Sequence, residues 1–212
     1  MKITELKKIS AKKNTFKVSF DNEESVILTP ETIVKFGLTS GAEISKNDFD
    51  AISAYDKSNS VTADALALVS KRSYSAKSLE QKLIEKGYEP HNAKTAVKRL
   101  EELNYINDEK YADMLAKYLS GRAKGEFAIK QALEEKGISR ELINKALDSL
   151  KTEAEPYEQI IETVKRKFKD FNPKDKNEVR RIASFFLRRG FTSEDISKAL
   201  RNYKSSVELD VF

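Results

Sequence analysis

The side chains best suited to act on a partner are cations at recurring places: Lys71-Arg72 and Lys77, then Arg122 and Lys124, then Lys165-Arg166-Lys167, with Arg180-Arg181 and Arg188-Arg189 after them. Runs of this kind neutralise phosphates, and aromatic rings among them can stack on bases. Tyr74, Tyr118 and Phe127 lie among these cations, although packing in or near the core is the expectation for all three. Competing chemistry is thin. The chain has no cysteine, which excludes disulfides, thiolate metal sites, cysteine nucleophiles and iron–sulfur clusters. Its one histidine, His91, follows Pro90 at an expected helix start, where an exposed imidazole is anticipated. Glu101-Glu102 and Glu134-Glu135 are adjacent in expected helices and cannot face each other, so they read as solvated surface. Gly121 and Gly125 flank Arg122-Ala123-Lys124 but form neither a phosphate loop nor a dinucleotide turn. With no set of residues to carry catalysis, a non-enzyme with no cofactor and no metal is expected.

The elements that must position these cations emerge from an internal repeat. Ser78–Leu100, Ala128–Leu150 and Arg181–Tyr203 align without gaps, with Gly87, Gly137 and Gly190 in one column. Seven apolar columns coincide as well, among them Leu79/Ile129/Ile182, Leu83/Leu133/Phe186 and Ala96/Ala146/Ala199. In each copy two apolar residues four apart make a helical stripe, and the glycine four residues on is the left-handed residue that stops the helix. Ser139 and Thr192 then stand as N-caps three residues before Leu142 and Asp195. Upstream of each pair lies another helical pattern: Ala65 to Val69, Tyr111 to Leu119 with Asp108 as the expected N-cap, and Tyr157 to Phe168 after Pro156. The unit is therefore three helices, and three units in tandem predict an elongated, curved helical array. Such a unit also resembles a helix-turn-helix reader, but its last helices carry no cluster of Arg, Asn and Gln for base readout.

The first sixty residues differ. Phe16, Val18 and Phe20 alternate with Lys17 and Ser19, and Asp21-Asn22-Glu23-Glu24 leads into Val26-Ile27-Leu28, the pattern of a β-hairpin. Ile3 to Ile9 could add a third strand. A helix capped by Thr29, opened by Pro30 and ended by Gly37 is expected to support it, and a second helix starts near Asn47-Asp48. Continuity of that helix beyond Ser58-Asn59-Ser60 is left open. The expected organisation is a hairpin-plus-helix extension over 1–60 and three-helix repeats over 61–107, 108–152 and 153–212, mostly α overall.

The 212 residues carry 39 Lys and Arg against 34 Asp and Glu, a net charge of +5. Basic and acidic residues number nine and nine over 1–60, sixteen and fourteen over 61–150, and fourteen and eleven over 151–212. The excess thus lies after residue 60, and the stretch from Lys165 to Arg189 holds ten basic and three acidic residues. A polyanionic partner is permitted by this distribution. No apolar run approaches the roughly 20 residues that span a bilayer. A soluble cytoplasmic monomer with no membrane contact is expected.

The run Lys71-Arg72-Ser73-Tyr74-Ser75 with Leu79, Leu83 and Lys86-Gly87-Tyr88, then Leu103-Asn104-Tyr105-Ile106-Asn107-Asp108 with Tyr111-Ala112, then Arg122-Ala123-Lys124-Gly125 with Leu133 and Lys136-Gly137-Ile138, and finally Arg188-Arg189-Gly190-Phe191, resembles the RecX family of regulatory proteins. The resemblance covers about residues 61–203. It implies tandem three-helix repeats and a non-enzymatic activity: binding the RecA recombinase, chiefly as a filament on single-stranded DNA. It further implies suppression of filament extension, ATP hydrolysis, strand exchange and the coprotease function of the SOS response, with weak direct DNA binding. Arg72, Tyr74, Arg122, Lys124, Arg188 and Arg189 occupy the motif places, and the charge reading adds Lys77, Lys165, Arg166, Arg180 and Arg181 as filament- or DNA-binding candidates. The alternative is a general single- or double-stranded nucleic-acid-binding repeat protein acting without RecA. The motifs do not reach the first 60 residues, whose role stays open.

Overall fold

The computed structural model describes residues 1–10, 15–153 and 155–209. It is mostly α, with a small N-terminal sheet. Strands β1 (Ile3–Ser10), β2 (Thr15–Phe20) and β3 (Ser25–Leu28) form an antiparallel sheet in the order β1-β2-β3, so the third strand raised by the sequence is present. The helices among the described residues are α1 (Pro30–Lys35), α2 (Lys46–Val69), α3 (Ala76–Glu85), α4 (Pro90–Glu102), α5 (Asp108–Ser120), α6 (Glu126–Glu135), α7 (Arg140–Glu153), α8 (Pro156–Lys167), α9 (Lys176–Leu187) and α10 (Ser193–Leu209). They belong to two compact units, one of Met1–Arg72 with Leu79–Ile106, the other of Ser73–Ser78 with Asn107–Phe212.

In the first unit the inner face of the sheet buries Ile3, Val18, Phe20 and Leu28 with Leu38 and with Ile52 of α2. The Phe20 and Phe49 rings meet edge to face at 5.4 Å. A two-residue alternation on the strands meeting a helical stripe is what such a layer requires. Thr29 holds the N-cap position of α1, but its side chain makes no capping bond. The Asp56 carboxylate on α2 instead ties this turn to α2, accepting from the Thr29 N–H (2.7 Å), the Thr29 hydroxyl (2.8 Å) and the buried Thr32 hydroxyl (2.6 Å). α2 is opened by a reciprocal capping box between Ser45 and Asp48 and runs unbroken through Ser58-Asn59-Ser60. The division expected at residue 60 therefore falls inside one helix. The C-terminal half of α2 buries Val61 and Ala65, and α3 and α4 bury Leu79, Leu83, Ala93, Ala96, Val97 and Leu100.

The second unit holds two cores. Ala112 and Ala116 of α5 let α6 and α7 approach with Ile129, Leu133, Ile143, Ala146 and Leu147. The next is aromatic, with Phe171, Phe186, Phe191 and Tyr203 around Ile160, Val164, Ile182 and Ile196. Gly87, Gly137 and Gly190 all have positive φ, as helix stops of this kind need. Ser139 and Thr192 accept from the N–H groups of Leu142 (3.4 Å) and Asp195 (3.0 Å), the expected caps. The cap of α5 differs from expectation. Asn107, not Asp108, accepts the Lys110 N–H (2.9 Å), because the Asp108 carboxylate is engaged by the Ala76 N–H at the start of α3 (2.8 Å).

Candidate functional site

Lys77, Arg122, Lys124 and Lys165 to Lys167 lie at or beside corners, the connections between the first and second helices of each repeat, whereas Arg180 and Arg181 lie within α9 and Arg188 and Arg189 follow it. In the second repeat the corner is Gly121–Gly125, after α5. Its N–H groups turn back on the helix end: Arg122 and Lys124 both donate to the Leu119 carbonyl, at 3.0 and 3.1 Å, and Ala123 donates to Ser120 at 2.7 Å. Ala123 adopts φ +54, which an L-residue holds only under constraint. The constraint is Arg189, whose Nε donates to the Ala123 carbonyl (2.8 Å) and whose Nη2 donates to the Arg122 carbonyl (2.5 Å). Two successive carbonyls match the planar fork of a guanidinium, and an ammonium could not hold both in this way. Two further bonds close the joint, from Gly125 N–H to the Arg189 carbonyl (2.8 Å) and from Phe127 N–H to the Gly190 carbonyl (3.1 Å).

This joint brings several candidates together. The Arg122 guanidinium lies 4.5 Å from the Tyr118 ring, while Arg189 and Lys167 lie 5.0 and 5.9 Å from the Phe185 ring. Arg188 follows directly as the C-cap of α9. Lys165, Arg166 and Lys167 form the last turn of α8, where cations complement the helix dipole. Arg180 and Arg181 are exposed near the start of α9, with Arg181 only 3.8 Å from Glu178. Tyr74 and Lys77 stand at the corner of the first repeat, Tyr74 half-buried and Lys77 exposed with its stem against Gly137. Arg72 is exposed in the first unit.

Some surface cations are paired with carboxylates and others are not. Lys82, Lys86, Arg99, Lys145 and Lys151 each have a carboxylate partner, which raises the Lys145 and Lys151 ammonium groups above their ordinary range, chiefly through hydrogen bonds to Glu109 and Glu126. Among the described residues no carboxylate lies within 4 Å of Lys77, Arg122, Lys124, Lys165, Arg166, Arg180 or Arg188. Lys94, Lys98, Lys110, Lys130 and Lys198, on the flanks of α4, α5, α6 and α10, stand outside these ion pairs as well, so an unpaired cation is not peculiar to the corners. His91 is exposed near the start of α4, and no group of metal-ligating side chains occurs among the described residues. No helix of the described residues is long and apolar enough to cross a membrane.

Two expectations for the rings fail. Tyr118 is 52% exposed and Phe127 64%, with Met114 and Leu187 exposed too, so neither ring packs in a core. The signal was present: Ala112 and Ala116 define the inward stripe of α5, which puts 114 and 118 outside. Phe127 shares its repeat column with Lys77 and Arg180, a polar column.

Models of the first, second and third three-helix domains of RecX match residues 63–100, 107–147 and 153–200. A regulatory protein RecX of Trichlorobacter lovleyi is 32% identical over 135 residues, 61% of this chain and 86% of that protein. One of Listeria monocytogenes is 26% identical over 212 residues, all of this chain and 78% of that protein, so the N-terminal extension lies within its match. A crystal structure described as regulatory protein RecX superposes with a TM-score of 0.69 at 19% identity, covering 93% of this chain and 98% of the other, which supports the fold. With three matching domains in order along the repeats, and a relative covered over most of its length, the chain belongs to the RecX family of regulatory proteins.

Proposed function

We propose that this chain is a non-enzymatic, cytoplasmic regulator that binds RecA and its filament on single-stranded DNA. Binding inhibits filament extension, ATP hydrolysis, strand exchange and coprotease activity in recombinational repair and the SOS response. The observation that carries the reading is family membership, supported by cations at the corners of successive repeats, Lys77, then Arg122 with Lys124, then Lys165 to Lys167. Leaving a surface cation unpaired costs little in water, but it keeps the charge available to a polyanion. Recurrence matters more than any one corner. Several weak contacts on one chain act at high effective concentration, so affinity for a repeating filament is built without one large patch. Inhibition follows if the bound chain favours a filament state that neither extends nor closes for hydrolysis, because a ligand shifts an equilibrium only by its differential affinity.

A second reading, nucleic-acid binding without RecA, is favoured by Tyr118, an exposed ring beside the Arg122 guanidinium. The two separate on Arg122→Glu combined with Lys124→Glu. The substitution is expected to leave helicity unchanged and to weaken inhibition of RecA by at least about tenfold, the loss of roughly 1.4 kcal/mol. Wild-type inhibition by this variant, measured as RecA-driven strand exchange, would make the corner ordinary surface. Loss of bare-DNA binding with inhibition intact would favour the second reading.

A further inference from the structure

The charge balance of the first sixty residues conceals a segregation. Residues 1–20 contain six lysines and one acidic residue, Glu5, whereas residues 21–60 contain three lysines and eight acidic residues. The structure lays this out on one small sheet. The acidic turn Asp21-Asn22-Glu23-Glu24 joins β2 to β3 at one end. Lys8 and Lys17 lie toward the other end, where β1 meets β2, and the sequence joining those strands contains Lys12 and Lys13.

Register then fixes the face. Val18, Phe20 and Leu28 are buried against the helices, so the residues between them point outward. Lys7 pairs with Lys17 and Lys17 with Ile27, which makes one row across the three strands on the outer face. Both lysines are exposed, Ile27 is 57% exposed, and Ile9 is exposed near the end of β1. Glu5 is one row away, opposite Ser19, and among the described residues it makes no ion pair with either lysine. Like charges directly across a sheet oppose folding, and the usual solution is to alternate sign or to use a β-branched residue. A sheet that keeps Lys opposite Lys, with Glu5 on the same face paired to neither, presents a pair of cations to something outside the fold.

We propose that this outer face, centred on Lys7, Lys17 and Ile27, is a binding site for single-stranded nucleic acid. The paired ammonium groups meet the phosphate backbone, and the exposed isoleucine beside them meets an unstacked base. A duplex offers phosphates but no free base faces, so the cation-to-apolar row fits the single strand. The site is separate from the repeat corners and needs no RecA, so its failure would leave the proposed filament contact standing.

The test is binding of fluorescein-labelled oligothymidylate to the full-length chain, titrated at several salt concentrations without RecA. Lys7→Thr with Lys17→Thr should melt at or above the wild-type temperature, since the like-charge pair is gone, while binding more weakly. The plot of log affinity against log salt should become shallower by about 1.4, two single-strand phosphate contacts at roughly 0.7 each. Lys7→Glu with Lys17→Glu keeps a like-charge pair and should bind more weakly still. An unchanged affinity and salt slope in both variants, or no binding by wild type, would overturn the proposal. Equal competition by duplex would overturn the choice of single strand.

Discussion

Where Ser75 meets Lys136, a side-chain hydroxyl spans the gap between two main chains, donating to the Lys136 carbonyl at 2.7 Å. Where Gly125 meets Arg189, one repeat later, the backbone N–H donates across the joint itself at 2.8 Å. Ser75 and Gly125 share a column of the repeat, as do Lys136 and Arg189, so one contact is made twice with different chemistry. At the Ser75 joint the Lys77 stem lies over Gly137. The glycine joint is closer. A Cβ on Gly125 would stand 2.4 Å from Gly190 backbone, and one on Gly190 would stand 2.4 Å from the Ala128 nitrogen. The third glycine of the column, Gly87, has nothing within 4 Å of such a Cβ. A cation column diverges in parallel: Lys86 pairs with Asp64 in its own unit, whereas Arg189 reaches across to the preceding corner. The lesson is that these glycines end helices in every repeat, but only one of them also admits another main chain.

Alanine at each glycine separates the two roles. Gly190→Ala should cost most, about 3 kcal/mol or more, from left-handed strain plus main-chain overlap that cannot relax. In a protein this size that lowers Tm by roughly 6 to 12 °C. Gly137→Ala should fall between, because the nearest atoms it meets all belong to the Lys77 side chain, and Gly87→Ala should cost only about 1 kcal/mol of backbone strain. Equal losses at all three would mean that the glycines serve solely as helix stops.

Ser75→Ala probes the looser joint. It removes the bond to Lys136 and the acceptor for the Ser78 N–H (3.2 Å), so about 1–2 kcal/mol should be lost in chemical unfolding. Ser75→Gly should not rescue it, since no backbone hydrogen bond joins Ser75 to Lys136.

The smallest effect is in pH. Lys151 is raised above its ordinary 10.5, first by its hydrogen bond to Glu126 and then by that carboxylate's charge, with burial opposing. A raised ammonium stabilises the fold fully below its unfolded value, and that contribution disappears as pH climbs through the folded one. The loss therefore comes above about pH 10.5. With side chains 47% and 41% exposed it should stay under about 1 kcal/mol. Thermal melts of wild type and Glu126→Gln across that range should converge at the alkaline end; a constant gap would contradict the pairing.

The repeat, its helix stops and the N-caps at Ser139 and Thr192 were legible because each is local: a stripe, a left-handed residue, a side chain reaching three residues on. The cations are plain in the sequence, but which of them braces the fold is not. That Arg189 braces Ala123 at φ +54 depends on a residue 66 positions away, and no local pattern carries that. The same holds for Asp108, which looks like a cap for its own helix and instead meets Ala76. Tyr118 and Phe127 were misjudged because aromatic type outweighed position, when the alanine stripe of α5 and the polar column at Phe127 already put them outside. In the N-terminal extension the net charge obscured what the strand register displays.

The most direct test of the filament reading is RecA ATP hydrolysis on single-stranded DNA with the full-length chain added below one molecule per RecA. Substoichiometric inhibition, reduced by Arg122→Glu with Lys124→Glu, is the result predicted. Unchanged hydrolysis while the chain binds bare DNA tightly at physiological salt would contradict it.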